Sequence, residues 1–226
     1  MLDIQKDFRN FAKSNTSLNT SVMDDGLHRF NNMLYPSIVE DRPSAMRCVE
    51  MNVFSRLMYD RIIYFSGEVC KESCDIAIAQ LLYLASVDDR DINMYINSEG
   101  GSIIDGLGVI DTINFIKPDV TTTCLGMAAS MGAVLLSNGE KGKRSVLPHS
   151  RIMIHSAASG FKGHTADVEI EMEQLKRCQK DIYEILAKNC DKSYDDIKLL
   201  CDRDNWFIGE EAVNNLNIAD KVLIKA

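Results

Sequence analysis

The sequence has no long apolar run, no surplus of positive charge, no Cys-x-x-Cys pair and no leader in which basic residues precede an apolar stretch. The longest apolar candidate, Met127 to Leu136, falls short of the roughly 18 to 20 residues that span a bilayer and carries Ser130 and Gly132, so no membrane crossing is expected. Lys plus Arg number 25 against 33 Asp plus Glu, a net charge of −8. A chain of that sign is a poor binder of phosphate backbones, and nucleic acid is not an expected partner. The seven cysteines (Cys48, Cys70, Cys74, Cys124, Cys178, Cys190 and Cys201) are odd in number and lack zinc-ligand spacing. That speaks against a metal site and a disulfide framework, and for reduced thiols in the cytoplasm. Met1 to Lys13 mixes Asp3, Lys6, Asp7 and Arg9 with scattered apolar residues, which is unlike a secretory signal. What is present is core-forming material: 46% hydrophobic residues over 226 positions, enough for one large domain or two small ones.

The polar stretch Ser14 to Ser21 separates a short charged helical pattern from the Tyr35, Pro36 and Pro43 region, so residues 1–33 read as an appendage. The folded part is expected from about Met51, where an apolar helical pattern runs into a β-like run, Ile62 to Phe65, ended by Gly67. Ile78, Leu81, Leu82 and Ala85 then recur at helical spacing, and Ile92 to Ile96 reads as a buried strand. A turn at Ser98-Glu99-Gly100-Gly101 leads to a helix with Ile103, Leu107, Ile110 and Ile113 on one face. Lys117-Pro118-Asp119 stops it, and Val120 to Cys124 returns as a strand. This is a βαβ unit, so its strands should be parallel. Gly126 is expected to end that strand, with a helix from Ala128 to Leu136 closing at Asn138-Gly139. Arg151 to His155 is a further strand, Ser159 to Gly163 an exposed hairpin or arm, and Thr165 to Lys188 the longest helix. Helices over Tyr194 to Cys201 and Glu210 to Asn215 and a strand over Lys221 to Ile224 complete an α/β chain.

Ser130 lies at a strand-to-helix junction among small residues, Gly126-Met127-Ala128-Ala129-Ser130-Met131-Gly132, where backbone N–H groups can be aimed at its hydroxyl. The pattern equally admits a small residue chosen for packing. A nucleophilic serine needs a base and a group to orient it. Of the four histidines, His28 lies in the appendage, His149 in a loop and His164 beyond the arm, whereas His155 ends the apolar strand Ile152-Met153-Ile154. His155 is the preferred base, although a satisfied strand-end imidazole explains it as well. Gly100-Gly101 can turn a backbone N–H towards the neighbouring strand end, where the Met131 N–H would lie, giving two donors for an oxyanion; a plain tight βα turn is the simpler account.

Other patterns do not reach a site. Gly139-Glu140-Lys141-Gly142-Lys143-Arg144 has too few residues between its glycines for a phosphate loop and lacks the following Ser/Thr, and reads as a basic surface turn. Asp88-Asp89-Arg90-Asp91 and Asp202-Arg203-Asp204 carry an arginine among the carboxylates, which favours solvated loops or ion pairs over metal.

Taken in order, Tyr95-Ile96-Asn97-Ser98-Glu99-Gly100-Gly101, Phe115-Ile116-Lys117-Pro118-Asp119-Val120, Gly126 to Ala133, Lys141-Gly142-Lys143-Arg144, Arg151-Ile152-Met153-Ile154-His155, Asp202-Arg203-Asp204 and Gly209-Glu210-Glu211-Ala212-Val213 closely resemble ClpP, the proteolytic-subunit family of the ATP-dependent Clp protease. The similarity runs from about Tyr35 to the C-terminus. It implies a crotonase-like α/β fold of repeated β-α units, with a compact head and a handle made of the Ser159 to Gly163 arm and the helix after it. It implies Ser130 as nucleophile, His155 as general base and then acid, and Asp204 as the orienting carboxylate, a choice over Asp202 that spacing alone cannot make. The backbone N–H groups of Gly101 and Met131 match the oxyanion hole.

The same resemblance implies a homo-oligomer of two stacked seven-membered rings, with Asp202 and Arg203 at ring-to-ring contacts. Unfolded polypeptides would be threaded in by an AAA+ unfoldase, ClpX-like or ClpA-like, docking at a pocket that includes Tyr95 and Phe115; ordinary core is the other account of both aromatics. The unfoldase would use the ATP, and this chain would bind no cofactor and no metal. Residues 1–33 match a propeptide in position, 34–50 the axial gating segment and 51–226 the serine peptidase domain. Departures from the family are Glu99 in place of proline, Ser156-Ala157 in place of Gln-Pro, and Asn93 at a position often aromatic. Three rivals remain: an enoyl-CoA hydratase type using glutamates, a Ser-Lys peptidase using Lys141 or Lys143, and an inactive ring subunit.

Overall fold

The computed structural model describes residues 37–40, 49–160 and 163–225. The appendage with His28, the Pro43 region and part of the Ser159 to Gly163 arm lie outside the described residues. The chain divides into two units, residues 1–59 and 60–226. In the first, strands β1 (Ser37–Glu40) and β2 (Val49–Asn52) pair antiparallel. Helix α1 (Val53–Tyr59) follows directly, started by the Asn52 side-chain oxygen, which accepts the Ser55 N–H at 2.7 Å.

The second unit begins with the expected βαβ alternation. Strands β3 (Ile62–Val69), β4 (Ile92–Gly101) and β5 (Val120–Ala129) are parallel neighbours, joined by helices α2 (Lys71–Val87) and α3 (Ile103–Phe115). Cys74, Ala77, Leu81 and Leu84 of α2 and Gly106, Val109, Ile110 and Ile113 of α3 form the buried stripes of these helices. Helix α4 (Met131–Ser137) is buried at every residue, as its nearly unbroken apolar sequence requires. Burial of each of Met131, Val134, Leu135 and Leu136 stabilises the unit by roughly 1.5–3 kcal/mol.

Two short strands of this unit, β6 (Arg144–Val146) and β8 (Asn205–Ile208), were not legible in the sequence, whereas the strand expected over Lys221 to Ile224 is present in shorter form. β6 (Arg144–Val146) pairs with the first half of β5, and β9 (Lys221–Val222) extends the sheet beyond it. β7 (Arg151–Ile154) pairs with the second half of β5, and β8 (Asn205–Ile208) runs antiparallel to β7. Gly126 therefore does not end β5 but bends it, at φ +95°, where it changes partner from β6 to β7; the helix starts at Met131 instead of Ala128. Likewise Ser98 to Gly101 is not a turn but the end of β4, still paired with Glu68 and Val69 across a bulge. Glu99, where the family has proline, is an exposed residue of that strand.

The basic surface turn is half corrected. Lys141 is exposed and Lys143 half-buried, but Arg144 is buried, because its guanidinium meets Asp220 at 2.6 Å and the carbonyl oxygen of Asn189 at 2.7 Å. The Asp88 to Asp91 loop is held by ion pairs: Asp88 with Arg61 and Arg90, Asp89 with Lys117, Asp91 with Lys143.

Helix α5 (Thr165–Asn189) is anchored at its C-terminal half, where Ile182, Tyr183 and Leu186 are buried, while Ile170 and Met172 near its start are exposed. Helix α6 (Tyr194–Leu200) is capped by Ser193, and residues 210–216 form a short helical segment that widens over Ala212–Leu216. No helix among the described residues is long and apolar enough to cross a membrane.

Candidate active site

Ser130 occupies the single residue between β5 and α4 and has φ 52° and ψ −121°, a conformation L-residues rarely adopt. Its N–H is held by the carbonyl oxygen of Met153 on β7 at 2.8 Å, and its own carbonyl accepts the N–H groups of Ala133 and Val134, starting α4. Main-chain bonds on both sides thus fix this strained residue, leaving its side chain to face the next strand end. There, directly after β7, the Nε2 of His155 lies 2.9 Å from Ser130 Oγ.

The third group comes from strand register. β7 and β8 pair Ile154 with Asn205, so the residue following one strand faces the residue preceding the other. Those residues are His155 and Asp204, and Nδ1 of His155 lies 3.1 Å from Asp204 Oδ1. Asp202, two residues earlier, lies outside this pairing. With Nδ1–H donating to the Asp204 carboxylate, Nε2 presents its lone pair to the serine hydroxyl, the tautomer that proton abstraction requires. His155 is half-buried and Asp204 is exposed.

Gly100 packs against the serine: a Cβ there would stand 2.6 Å from Ser130 Cβ and 3.0 Å from Met131 N. Only glycine permits this approach, which brings the end of β4 beside the start of α4. Opposite Val69, Gly101 is followed by Ser102, whose N–H bonds the Val69 carbonyl at 2.7 Å; in a parallel ladder the Gly101 N–H then points away from β3. Gly101, Ser130, Met131 and His155 share a cleft of about 540 Å³ whose other walls include Ile103, Val134, Ile154, Leu175 and Ile182. Such a space accepts an extended peptide with an apolar side chain.

The remaining sequence-derived residues lie elsewhere. Asp202 and Arg203 are exposed, and Arg203 Nε and Asp202 Oδ2 stand 4.0 Å apart. Tyr95 is half-buried in the middle of β4, and Phe115, at the end of α3, is 82% exposed, so the core account does not hold for Phe115. Neither lines the cleft. Lys143 is engaged by Asp91 and Asp119 and Lys141 by Asp191, and neither reaches the cleft, which removes the Ser-Lys alternative. Among the glutamates of the described residues, Glu171 alone lines it, which leaves the paired glutamates of a hydratase without a place. Burial pushes the thiols of Cys190 and Cys201 up to about 12 and those of Cys74 and Cys124 up to about 11, so none of these is a rival nucleophile.

Sequence reasoning missed Ser98 and Gly106. Ser98 is fully buried, and its hydroxyl donates to the Gly67 carbonyl at 2.5 Å and accepts the Gly100 N–H at 3.1 Å. A Cβ on Gly106 of α3 would stand 2.5 Å from Met131 Cγ, so this glycine forms the notch that seats the Met131 side chain. A polar residue continuing the buried strand Ile92 to Ile96 was the available signal for Ser98; Gly106 left none.

The family model described as Clp protease matches residues 45–226. The ATP-dependent Clp protease proteolytic subunits of Bacteroides fragilis and Bacteroides thetaiotaomicron are each 44% identical over 220 residues, covering 97% of this chain and 99% of theirs. That of Porphyromonas gingivalis is 40% identical over 97% of this chain and 98% of its own. A serine, a histidine and an aspartate joined in sequence by hydrogen bonds, on a sheet aligned from end to end with such relatives, place this chain in the Clp protease family.

Proposed function

We propose that this chain is a serine endopeptidase subunit that hydrolyses unfolded polypeptides by an acyl-enzyme mechanism. The observation that carries the reading is the continuous chain of contacts from Ser130 Oγ through both ring nitrogens of His155 to the Asp204 carboxylate. Ser130 Oγ attacks the scissile carbonyl carbon while Nε2 of His155 takes its proton. The Asp204 carboxylate stabilises the imidazolium, and the N–H groups of Gly101 and Met131 receive the oxyanion. Collapse of the tetrahedral intermediate breaks the C–N bond, with His155 returning the proton to the departing amine. Water then enters by the same base catalysis and releases the acyl group from Ser130.

The relatives are named as subunits of an ATP-dependent protease, which supports assembly and an ATP-consuming partner for this chain too. In the proposed arrangement two seven-membered rings stack through contacts that include Asp202 and Arg203, in the cytoplasm. An AAA+ unfoldase docks at a surface containing Tyr95 and the exposed Phe115, and it binds the ATP; this chain itself binds neither cofactor nor metal. Residues 1–33 act as a propeptide, 34–50 gate the axial pore, and 51–226 form the peptidase domain.

Asp204→Asn tests the mechanism. The amide retains the shape but stabilises the wrong tautomer of His155, so peptide turnover should fall by about 10³-fold or more with assembly unchanged. Turnover within a few-fold of wild type would remove Asp204 from the reaction.

A further inference from the structure

We infer that Ser98 is a positioning residue for the oxyanion-binding N–H of Gly101. The inference rests on the peptidase reading above, and goes beyond it by assigning a residue outside the triad and outside the oxyanion donors. The ladder between β3 and β4 is irregular at one point. Its register shifts between Ser66 and Glu68, so that Gly67 alone stands opposite two residues of β4, Ser98 and Glu99, and has no ladder partner. A bulge of this kind strands main-chain groups inside the sheet, and a buried carbonyl or N–H without a partner is costly.

Ser98 Oγ fills the gap in both directions. It donates its hydrogen to the Gly67 carbonyl at 2.5 Å and accepts the Gly100 N–H at 3.1 Å. The residue is completely buried, so no water competes for either bond. Its far side abuts α4: a Cβ on Gly132 would meet the Ser98 carbonyl oxygen at 3.0 Å and Ser98 Cβ at 3.2 Å. One side chain thus fixes the end of β4 relative to β3 and stands against the first turn of the helix that carries Met131.

The consequence for chemistry follows from Gly100 and Gly101, whose φ values are +95° and +148°. Two successive glycines can turn in many directions, and an oxyanion donor is effective only when its direction is set before the charge develops. Holding the Gly100 N–H removes that freedom one residue before the Gly101 N–H. Ser98 does not line the cleft, and its hydroxyl bonds Gly67 and Gly100 and no member of the triad, so its effect should appear when the oxyanion forms and not in the ground state. A merely structural serine would lack that selectivity.

The test compares wild type with Ser98→Ala, Ser98→Thr and Ser98→Cys, using a fluorogenic peptide amide as substrate and the peptide boronate of the same sequence as a tetrahedral mimic. Rates are expressed per site titrated to completion with a fluorophosphonate, so loss of folded protein does not imitate loss of turnover. Ser98→Ala should lower kcat at least about tenfold with KM within twofold, and weaken boronate binding by the same factor as kcat. Ser98→Thr, which keeps the hydroxyl, should recover most of both. Ser98→Cys is nearly isosteric but a poor hydrogen-bonding group, and carries the same expectation as alanine where alanine does not fold. Unchanged kcat in the alanine and cysteine variants, or a loss confined to KM, would overturn the assignment; so would threonine as impaired as alanine. A wild-type chain that neither cleaves the peptide nor binds the boronate would instead overturn the peptidase reading, and this inference with it.

Discussion

Ser130 holds a backbone conformation that favours glycine, at φ 52°, and non-glycine residues in such regions cost of order 1–3 kcal/mol. The cost is sustained because β7 binds its N–H and α4 binds its carbonyl, and what it secures is a hydroxyl aimed at His155 Nε2. Ser130→Gly should therefore abolish peptide hydrolysis while raising stability to chemical denaturation by about 1 kcal/mol. A glycine variant less stable than wild type would show that the serine side chain holds the junction together. This strain left no trace in the sequence, where Ser130 stood out only by its small neighbours. His155 was legible as a strand-terminal imidazole. Spacing alone did not separate Asp204 from Asp202; the family resemblance chose Asp204, and the register of β8, a strand of four residues with one buried position, sets it beside His155.

The elements divide the work of holding the two N–H groups proposed to bind the oxyanion. Helix α3 carries two glycines at non-equivalent positions, which makes a paired test. A Cβ at Gly106 would stand 2.5 Å from Met131 Cγ and 2.8 Å from Met131 Cε, whereas at Gly108 the nearest atom is Ile78 Cδ1 at 3.5 Å. Met131 is 1% exposed and has little room to yield. Gly106→Ala should cost about 1–3 kcal/mol through overpacking and reduce turnover as Met131 shifts. Gly108→Ala should be neutral or gain about 0.5–1 kcal/mol by relieving the entropy cost of glycine within a helix. Equal melting temperatures for the two variants would contradict the notch.

At the opposite end of the sheet, Asp220 ties β6 to the segment before β9 through Arg144. Burial alone would raise the Asp220 carboxyl, but hydrogen bonds from the Arg144 side chain and backbone, with the Gly142 N–H, hold it below the usual carboxylate range. A carboxyl lowered in the folded state adds stability above its unfolded value of about 3.9, and that stability is lost as the pH falls through the folded value. Asp220→Asn should cost about 3–5 kcal/mol at neutral pH by leaving the buried guanidinium without its carboxylate, and should flatten the acid limb of the stability profile. An unchanged acid limb would mean that other groups govern it. This pair was not legible beforehand: a three-residue strand centred on Ser145 carries no periodic signal, so Arg144 looked like part of a surface turn. The longer β-α units were legible because their apolar spacing runs over whole helices and strands.

For the whole molecule, the described residues leave four large apolar side chains, Ile76, Tyr83, Phe115 and Ile170, well exposed on the second unit. This supports the proposed ring assembly and its docking partner, in which covered faces would enclose the cleft and restrict it to threaded chains. All of it depends on Ser130 being an activated nucleophile. The most direct measurement is an intact-mass spectrum after exposure to a fluorophosphonate, with Ser130→Ala alongside; the same spectrum reads whether residues 1–33 have been removed. One adduct per chain in wild type and none in Ser130→Ala is the predicted result. A trimmed wild-type chain that stays unmodified, or an alanine variant that is modified equally, would contradict the account.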